Sequence, residues 1–212
     1  MQVTIALAKG RLEEESVKVL ERCGLDCSGI LGDSRKLIFF DKKNDVRFIL
    51  VKPVDVPTYV DHGVADMGIT GKDTLLEAGL PLYEMADMKF GRCRLVVAGY
   101  PERAAGLLTS SVLRVATKYP AIAKRHFESK GESVECITLS GSVELAPLLG
   151  LSDVILDIVE SGRTLKENGL VVTEEVCDIS ARLAVNRASL KIKSKRLKPL
   201  IEKIRLAVEE RC

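Results

Sequence analysis

No apolar run in this chain of 212 residues approaches the roughly 18 to 20 residues that a membrane span requires, so none of it is expected to cross a bilayer. The opening stretch, MQVTIALAKGRLEEE, lacks a basic start, a long apolar segment and a cleavage site, and a cytoplasmic protein is the expectation. Charge of one sign is not in excess: 32 Lys and Arg stand against 30 Asp and Glu, a net charge of +2. A dedicated nucleic-acid binder would concentrate a larger surplus of cations on one face, although a local basic pocket is compatible with this balance. The six cysteines, Cys23, Cys27, Cys93, Cys136, Cys177 and Cys212, include no CxxC pair. Cys23 and Cys27, the closest two, lack the second ligand pair and nearby histidines of a zinc site, so reduced, mostly buried thiols are expected. Neither GxGxxG nor GxxxxGK followed by Ser or Thr occurs, which weighs against a simple dinucleotide-binding or P-loop protein. Internal repeats and low-complexity tracts are missing too.

What is there is an α/β pattern. With 46% hydrophobic and 29% charged residues, the chain can build a sizeable core. Short apolar runs at 3–8, 36–40, 47–51, 67–70, 93–99, 113–117, 133–139, 153–159 and 170–186 predict strands. Helices are predicted between them at 12–23, 56–62, 72–78, 120–130, 142–149, 164–168 and 196–210. In the first helix, Leu12, Val19, Leu20 and Cys23 recur at helical spacing, acids fill the first turn, and Gly24 stops it. In the last, Leu197, Leu200, Ile201, Ile204 and Val208 share a face, and Pro199 reads as a first-turn residue. FFDKKNDVRF predicts a hairpin with its polar tip at Asn44-Asp45. The runs 85–99 and 170–186 exceed an ordinary strand of about 5 to 6 residues. A strand leaving one sheet for another explains each of them. Two such crossings give two lobes, 1–92 with 178–212 and 93–177.

The stretch most suggestive of chemistry is DIVESGRTL, 157–165, where a predicted strand runs into Ser161, Gly162, Arg163 and Thr164. Gly162 permits backbone angles that a side chain forbids. Backbone N–H groups opening a helix make a small anion site that suits a phosphate. Asp157 and Glu160 would repel that phosphate, yet they can accept hydrogen bonds from sugar hydroxyls beside it. A sugar phosphate meets all of these demands. The alternative is that Ser161 and Thr164 cap a helix and the acids are merely solvated.

Glu144, Gly150, Ser152, Ile155, Asp157, Ile158, Ser161, Gly162, Thr164 and Leu165 together resemble the signature of the ATP phosphoribosyltransferase family, which opens histidine biosynthesis. LAKGRL (7–12), DVPTYVDHGVADMGITGKD (55–73), ATKYP (116–120) and SGSVELAPLLGLSD (140–153) resemble further blocks of that family, in its order and over nearly the whole chain. The resemblance implies an α/β, two-lobed fold like that of periplasmic binding proteins, with a cleft where ATP meets phosphoribosyl pyrophosphate (PRPP). It implies that adenine N1 is joined to ribose C1 with release of pyrophosphate, with Mg²⁺ present. By similarity, Glu144, Asp157, Glu160, Ser161, Gly162, Arg163 and Thr164 belong to the PRPP site.

Lys9, Arg11, Lys52 and Lys72, each at a predicted strand end or in the turn after it, and also Arg35, are candidates for ATP and pyrophosphate. Lys52 stands where the family commonly has arginine, so a point charge replaces a bidentate fork. Displacement at an oxocarbenium-like carbon needs positioning and charge stabilisation more than proton chemistry. No nucleophile or general base is therefore expected, and neither His62 nor His126, both in predicted helices, is taken as catalytic. Mg²⁺ is expected on pyrophosphate and ribose oxygens, without a dedicated protein cage.

The chain stops at Cys212 and so resembles the short form of the family. That form implies a separate regulatory subunit similar to histidyl-tRNA synthetase, and a homodimer within a hetero-oligomer. KIKSKRLK, 191–198, reads first as a solvated helix start, with a contact to that partner or to nucleic acid as the alternatives. A two-lobed sensor that binds a phosphorylated metabolite without turning it over is the competing reading.

Overall fold

The computed structural model describes residues 1–32, 35–101 and 112–210, so Cys212 lies outside the described residues. The chain forms two compact units, Met1–Gly91 with Ser180–Cys212, and Arg92–Ile179. The boundaries expected after 92 and after 177 fall after 91 and after 179.

The first unit holds a six-stranded mixed sheet of β1 (Val3–Ala8), β2 (Ile38–Asp41), β3 (Val46–Val51), β4 (Met67–Gly71), β5 (Tyr83–Asp87) and β11 (Ala181–Val185). Their order is β2-β3-β1-β4-β11-β5. Strand β1 is buried at every position, as befits an apolar run with parallel neighbours on both sides, β3 and β4. Alternation sends Val3, Ile5 and Leu7 into the larger core, and Ala6 and Ala8 into the smaller one. Helices α1 (Glu13–Arg22) and α8 (Ser194–Glu209) supply Val17, Leu20, Leu197, Ile201 and Ile204 to the larger core. Helix α2 (Val56–Asp61) supplies Val56 and Val60 to the smaller.

Helix α2 approaches β4 so closely at Gly68 that a Cβ there would lie 2.6 Å from a Val56 methyl and 2.9 Å from a Val60 methyl. Hydrogen is the only side chain that fits. Buried Asp66, just before β4, accepts the Thr4 N–H and the Lys193 ammonium, each at 2.8 Å. Lys193 separates α7 (Arg187–Ile192) from α8, so this carboxylate ties the last two helices to β1. Helix α8 starts at Ser194, which makes Pro199 its sixth residue; it lies inside the helix and not in the first turn. Its missing N–H leaves one carbonyl of the preceding turn without its helical partner.

In the second unit β6 (Cys93–Gly99), β7 (Leu113–Thr117), β8 (Val134–Thr138), β9 (Val154–Val159) and β10 (Val171–Ile179) form a sheet in the order β10-β6-β9-β7-β8. Helices α4 (Pro120–Ser129), α5 (Leu145–Leu148) and α6 (Arg163–Glu167) accompany it. One core joins Val96, Ala98, Ala116, Ile155 and Val159 of the strands to Val143, Ala146, Leu165 and Leu170. The run 85–99 resolves into β5 and β6, parted by Lys89 and Gly91 at positive φ. The run 170–186 resolves into β10 and β11, parted at Ser180. Each pair belongs to two different sheets.

Candidate active site

In the first unit the parallel strands β1, β3 and β4 end on one sheet edge, in the register Ala8 beside Val51 and Leu7 beside Ile69. The residues that follow are Lys9, Lys52 and Lys72. The Lys9 N–H donates to the Val51 carbonyl at 2.9 Å, which places Lys9 and Lys52 on neighbouring strands, about 4.8 Å apart in the backbone. The Lys72 N–H donates to the Ser180 carbonyl at 3.0 Å. Arg11 follows Lys9 through Gly10, at φ +96°. Antiparallel β2 begins on the same edge: the Leu50 N–H donates to the Leu37 carbonyl at 2.8 Å, and Arg35 lies two residues upstream. All five predicted cations therefore belong to one edge. The side chains of Lys9, Arg35, Lys52 and Lys72 form no ion pair among the described residues. Ligands of α/β sheets gather at the carboxyl ends of parallel strands, and here that end is cationic.

In the second unit β7, β8 and β9 are parallel and also end together. The segment after β8 turns at Ser142, φ +47°, and places Glu144 immediately before α5. The segment after β9 carries exposed Glu160 and Ser161, then Gly162 at φ +72°, ψ 4°. A Cβ on Gly162 would find nothing nearer than a Val159 methyl at 3.7 Å, so backbone angle rather than space demands glycine. Gly162 occupies the cap position of α6, and no side chain caps that helix. Ser161 Oγ accepts only the long 3.5 Å approach of the Arg163 N–H. The capping role allowed for Ser161 and Thr164 is thus not what these hydroxyls do. No hydrogen bond among the described residues engages the N–H of Gly162 or of Thr164. Helix α6 has only five residues, so its dipole is small and the turn's unengaged N–H groups are what it offers an anion. Asp157, half-buried, lies on the same face of β9 as Ile155 and Val159, against which Val143 and Leu165 pack. One face thereby gathers Asp157 with the segments that bear Glu144 and Gly162.

His126 Nε2 lies 3.2 Å from a Glu174 carboxylate oxygen, and Lys130 lies 2.8 Å from the other. Burial would raise the Glu174 carboxyl, yet the Lys130 hydrogen bond and the His126 ring beside it outweigh that and hold it below the ordinary range. This cluster fastens the end of α4 to β10. His62 follows the last residue of α2. Among the described residues no three His, Cys, Asp or Glu side chains gather as a metal-ligand set.

Topology adds two cations that sequence reasoning passed over. Lys118 follows β7, the strand between β9 and β8, and Arg92 precedes β6, which is antiparallel to β9 on its other side. Both are exposed at the edge where β9 ends. Lys118 stands to its strand as Lys9 and Lys52 stand to theirs, a signal present in the sequence; the strand order that gives it meaning is not.

The family described as HisG: ATP phosphoribosyltransferase matches residues 52–206. An ATP phosphoribosyltransferase of Ruminiclostridium cellulolyticum is 54% identical over 204 residues, 96% of this chain and 95% of that protein. One from Caldanaerobacter subterraneus subsp. tengcongensis is 56% identical over 203 residues, 96% of each. A solved structure, the ATP phosphoribosyl transferase (HisG:HisZ) complex from Thermotoga maritima, superposes with a TM-score of 0.86 at 38% identity, covering 99% of this chain and 100% of that one. The VFT2 domain of Bordetella pertussis BvgS matches at 0.54 and 15% identity, over 98% of this chain and 92% of that one, a likeness of fold alone.

Two α/β units, one edge lined by cations and the other by a glycine turn among acids, together with these matches define a phosphoribosyltransferase, an enzyme of the glycosyltransferase kind. The chain belongs to the ATP phosphoribosyltransferase family. Its reaction joins ATP and PRPP to give N1-(5-phosphoribosyl)-ATP and pyrophosphate, the first step of histidine biosynthesis.

Proposed function

We propose that the edge of the second unit holds PRPP and the edge of the first holds the phosphates of ATP and of the departing pyrophosphate. The observation that carries this division is the glycine turn: Gly162 at positive φ, unengaged N–H groups at Gly162 and Thr164, and Asp157 on the adjoining strand face. In this reading the N–H groups of 161–164 receive the 5-phosphate, with Arg163 contributing its backbone. Asp157 and Glu144 accept the ribose hydroxyls, and Glu160 closes the sugar side. Lys9, Arg11, Arg35, Lys52 and Lys72 hold phosphate oxygens.

Chemically, the bond from ribose C1 to the pyrophosphate oxygen breaks, and the bond from C1 to adenine N1 forms. Carboxylates near the ribose favour the positive charge that grows at the ring, while cations favour the negative charge that leaves. Neither role needs a nucleophile or a general base on the protein. Substrate-borne Mg²⁺ would supply charge stabilisation at the departing pyrophosphate, and Lys9, Arg11, Arg35, Lys52 and Lys72 are the residues that would orient the phosphates around it.

The Thermotoga maritima complex supports a HisZ-type partner for this chain too. We assign the chain to the short form, a homodimer within a cytoplasmic hetero-oligomer whose second subunit resembles histidyl-tRNA synthetase and supplies histidine feedback. The relatives named above, matched over nearly all of their length, support the short form.

The test mixes the protein with ATP, PRPP and Mg²⁺, with and without such a subunit, and follows phosphoribosyl-ATP. Product should form and should rise when the subunit is present. Equal rates in both arms would remove the partner, and PRPP binding with no product in either would favour the sensor. A second measurement addresses the ribose. Asp157→Asn keeps the volume and loses the charge, so kcat/KM for PRPP should fall by about 10- to 100-fold, the worth of a hydrogen bond to a charged group. The KM for ATP should stay put, and unchanged PRPP kinetics would take Asp157 out of the site.

A further inference from the structure

The basic run 191–198 acquires a second neighbour in the fold. Beside the first turns of α8 lies a pocket of about 320 Å³, walled on its other side by the β2–β3 hairpin tip. Lys195 and Arg196 reach it from the helix start, Lys203 from two turns further on, and Lys43 from the hairpin. No acid lines it. Lys43, Lys195 and Lys203 form no ion pair among the described residues, and Arg196 is held by a single 2.5 Å hydrogen bond to the Asn44 carbonyl. Of the hairpin's acids, buried Asp41 is taken up by the Asn44 and Asp26 N–H groups and the Asn44 side chain, and Asp45 is turned to the amino terminus at 3.8 Å. Three other cations of this unit are compensated, Lys18 by Glu14, Arg182 by Glu84 and Lys193 by Asp66, whereas the substrate edge of Lys9, Arg35, Lys52 and Lys72 is another group without ion pairs among the described residues. Four uncompensated cations around one concavity repel each other within a Debye length of about 10 Å, and an anion relieves that repulsion.

The floor is apolar, with Val3, Leu25, Val46 and Leu200. Val3 and Val46 pair at the starts of β1 and β3, whereas Lys9 and Lys52 follow their ends. Along strands that rise about 3.3 Å per residue, the pocket lies roughly 20 Å from the substrate cations, on the opposite sheet edge.

We infer that this pocket is a second anion site, separate from the catalytic edge, built for a small phosphorylated metabolite with a flat apolar body, a nucleoside phosphate in kind. The cations take the phosphates and the floor takes the body. Its size lies at the low end of small-molecule sites, which run from about 300 to 1,000 Å³. A nucleic acid would need a longer basic track than four side chains around a hollow.

Cys23 reports on occupancy. Its half-buried thiol is part of the wall; burial pushes it up to about 11, against a smaller downward pull from Lys203. Alkylation needs the thiolate, so the full chain is treated with iodoacetamide at alkaline pH and each cysteine peptide is followed by mass spectrometry. ADP should slow Cys23 labelling, by about tenfold at roughly ten times its dissociation constant, and spare the half-buried thiols Cys93, Cys136 and Cys177 of the other unit. Inorganic tripolyphosphate should protect more weakly, since it lacks the apolar body. The double variant Lys195→Ala/Lys203→Ala should lose protection and still form phosphoribosyl-ATP, and Lys43→Ala should lose part of it. Lys52→Ala, at the other edge, should leave protection intact. Absence of protection by ADP would overturn the site, as would protection that survives the double variant. Equal protection by tripolyphosphate would overturn the apolar half of the assignment. Equal protection by duplex DNA at the same phosphate concentration would replace the metabolite with a nucleic acid.

Discussion

Gly162→Val should lower kcat/KM for PRPP by about a hundredfold while the KM for ATP stays within about twofold, because the turn that aims the phosphate donors cannot be kept by valine. The cause is conformational. At φ +72° an L-residue meets its own backbone, at about 1 to 2 kcal/mol, and a β-branched residue meets it worst. Space is not the issue, since the nearest atom to an added Cβ is 3.7 Å away. The segment therefore rotates to escape, and the N–H groups of Gly162 and Thr164 turn away with it. A displacement near 1 Å at a positioning group costs on the order of a hundredfold in rate. Asparagine separates this account from simple bulk, because it visits the left-handed region readily. Gly162→Asn should keep most of the activity. Equal losses for valine and asparagine would mean that a side chain of any kind obstructs the ligand, and equal losses for PRPP and ATP would mean misfolding.

The second large effect is on folding. Gly68 has ordinary backbone angles, so only sterics act there, and the contacts at 2.6 and 2.9 Å are with helix α2 and at 3.3 Å with the Ala6 carbonyl. Gly68→Val should destabilise the protein by about 3 kcal/mol, the upper range for overpacking a dense core. For a chain of this size that lowers Tm by roughly 6 to 12 °C. The loss should reach the proposed ATP and pyrophosphate edge too, because Lys52 directly precedes the turn into α2 and Lys72 directly follows β4. Gly68→Ala should cost less, and Val56→Ala in the same chain should restore part of it. Calorimetry of the two single variants and the double variant closes the cycle; strictly additive losses would show that α2 does not press on this glycine.

The elements were legible where local chemistry marks both ends. Runs 93–99 and 113–117 are β6 and β7 to the residue, and 72–78 is α3 (Lys72–Ala78), which Gly79 ends in the left-handed conformation. Helix α7 was missed because Asn186 was absorbed into the long apolar run, although its side chain accepts the Ser189 N–H at 2.8 Å and so caps the helix. The run 85–99 marks a crossing between sheets but not the start of β5, at Tyr83. At the site, residues that follow strands could be read directly, since a cation after an apolar run keeps that place in any parallel sheet. Lys118 carries that same signal after β7, but its place beside β9, like that of Arg92, which precedes its strand, depends on pairing across long sequence separations. Gly162 was legible as a turn. That its neighbouring hydroxyls leave the helix uncapped was not, for that depends on side-chain rotation.

Strand β11 lies between β4 and β5, yet it is made about a hundred residues after them. Until the ribosome has released residues 181–185, β5 has no strand to pair with, and the core of the first unit lacks Leu183, Leu197 and Ile201. The second unit is contiguous, 92–179, and needs nothing from later in the chain. It therefore completes first during synthesis, and the amino-terminal 91 residues wait, partly assembled, for the last stretch of polypeptide to close their sheet.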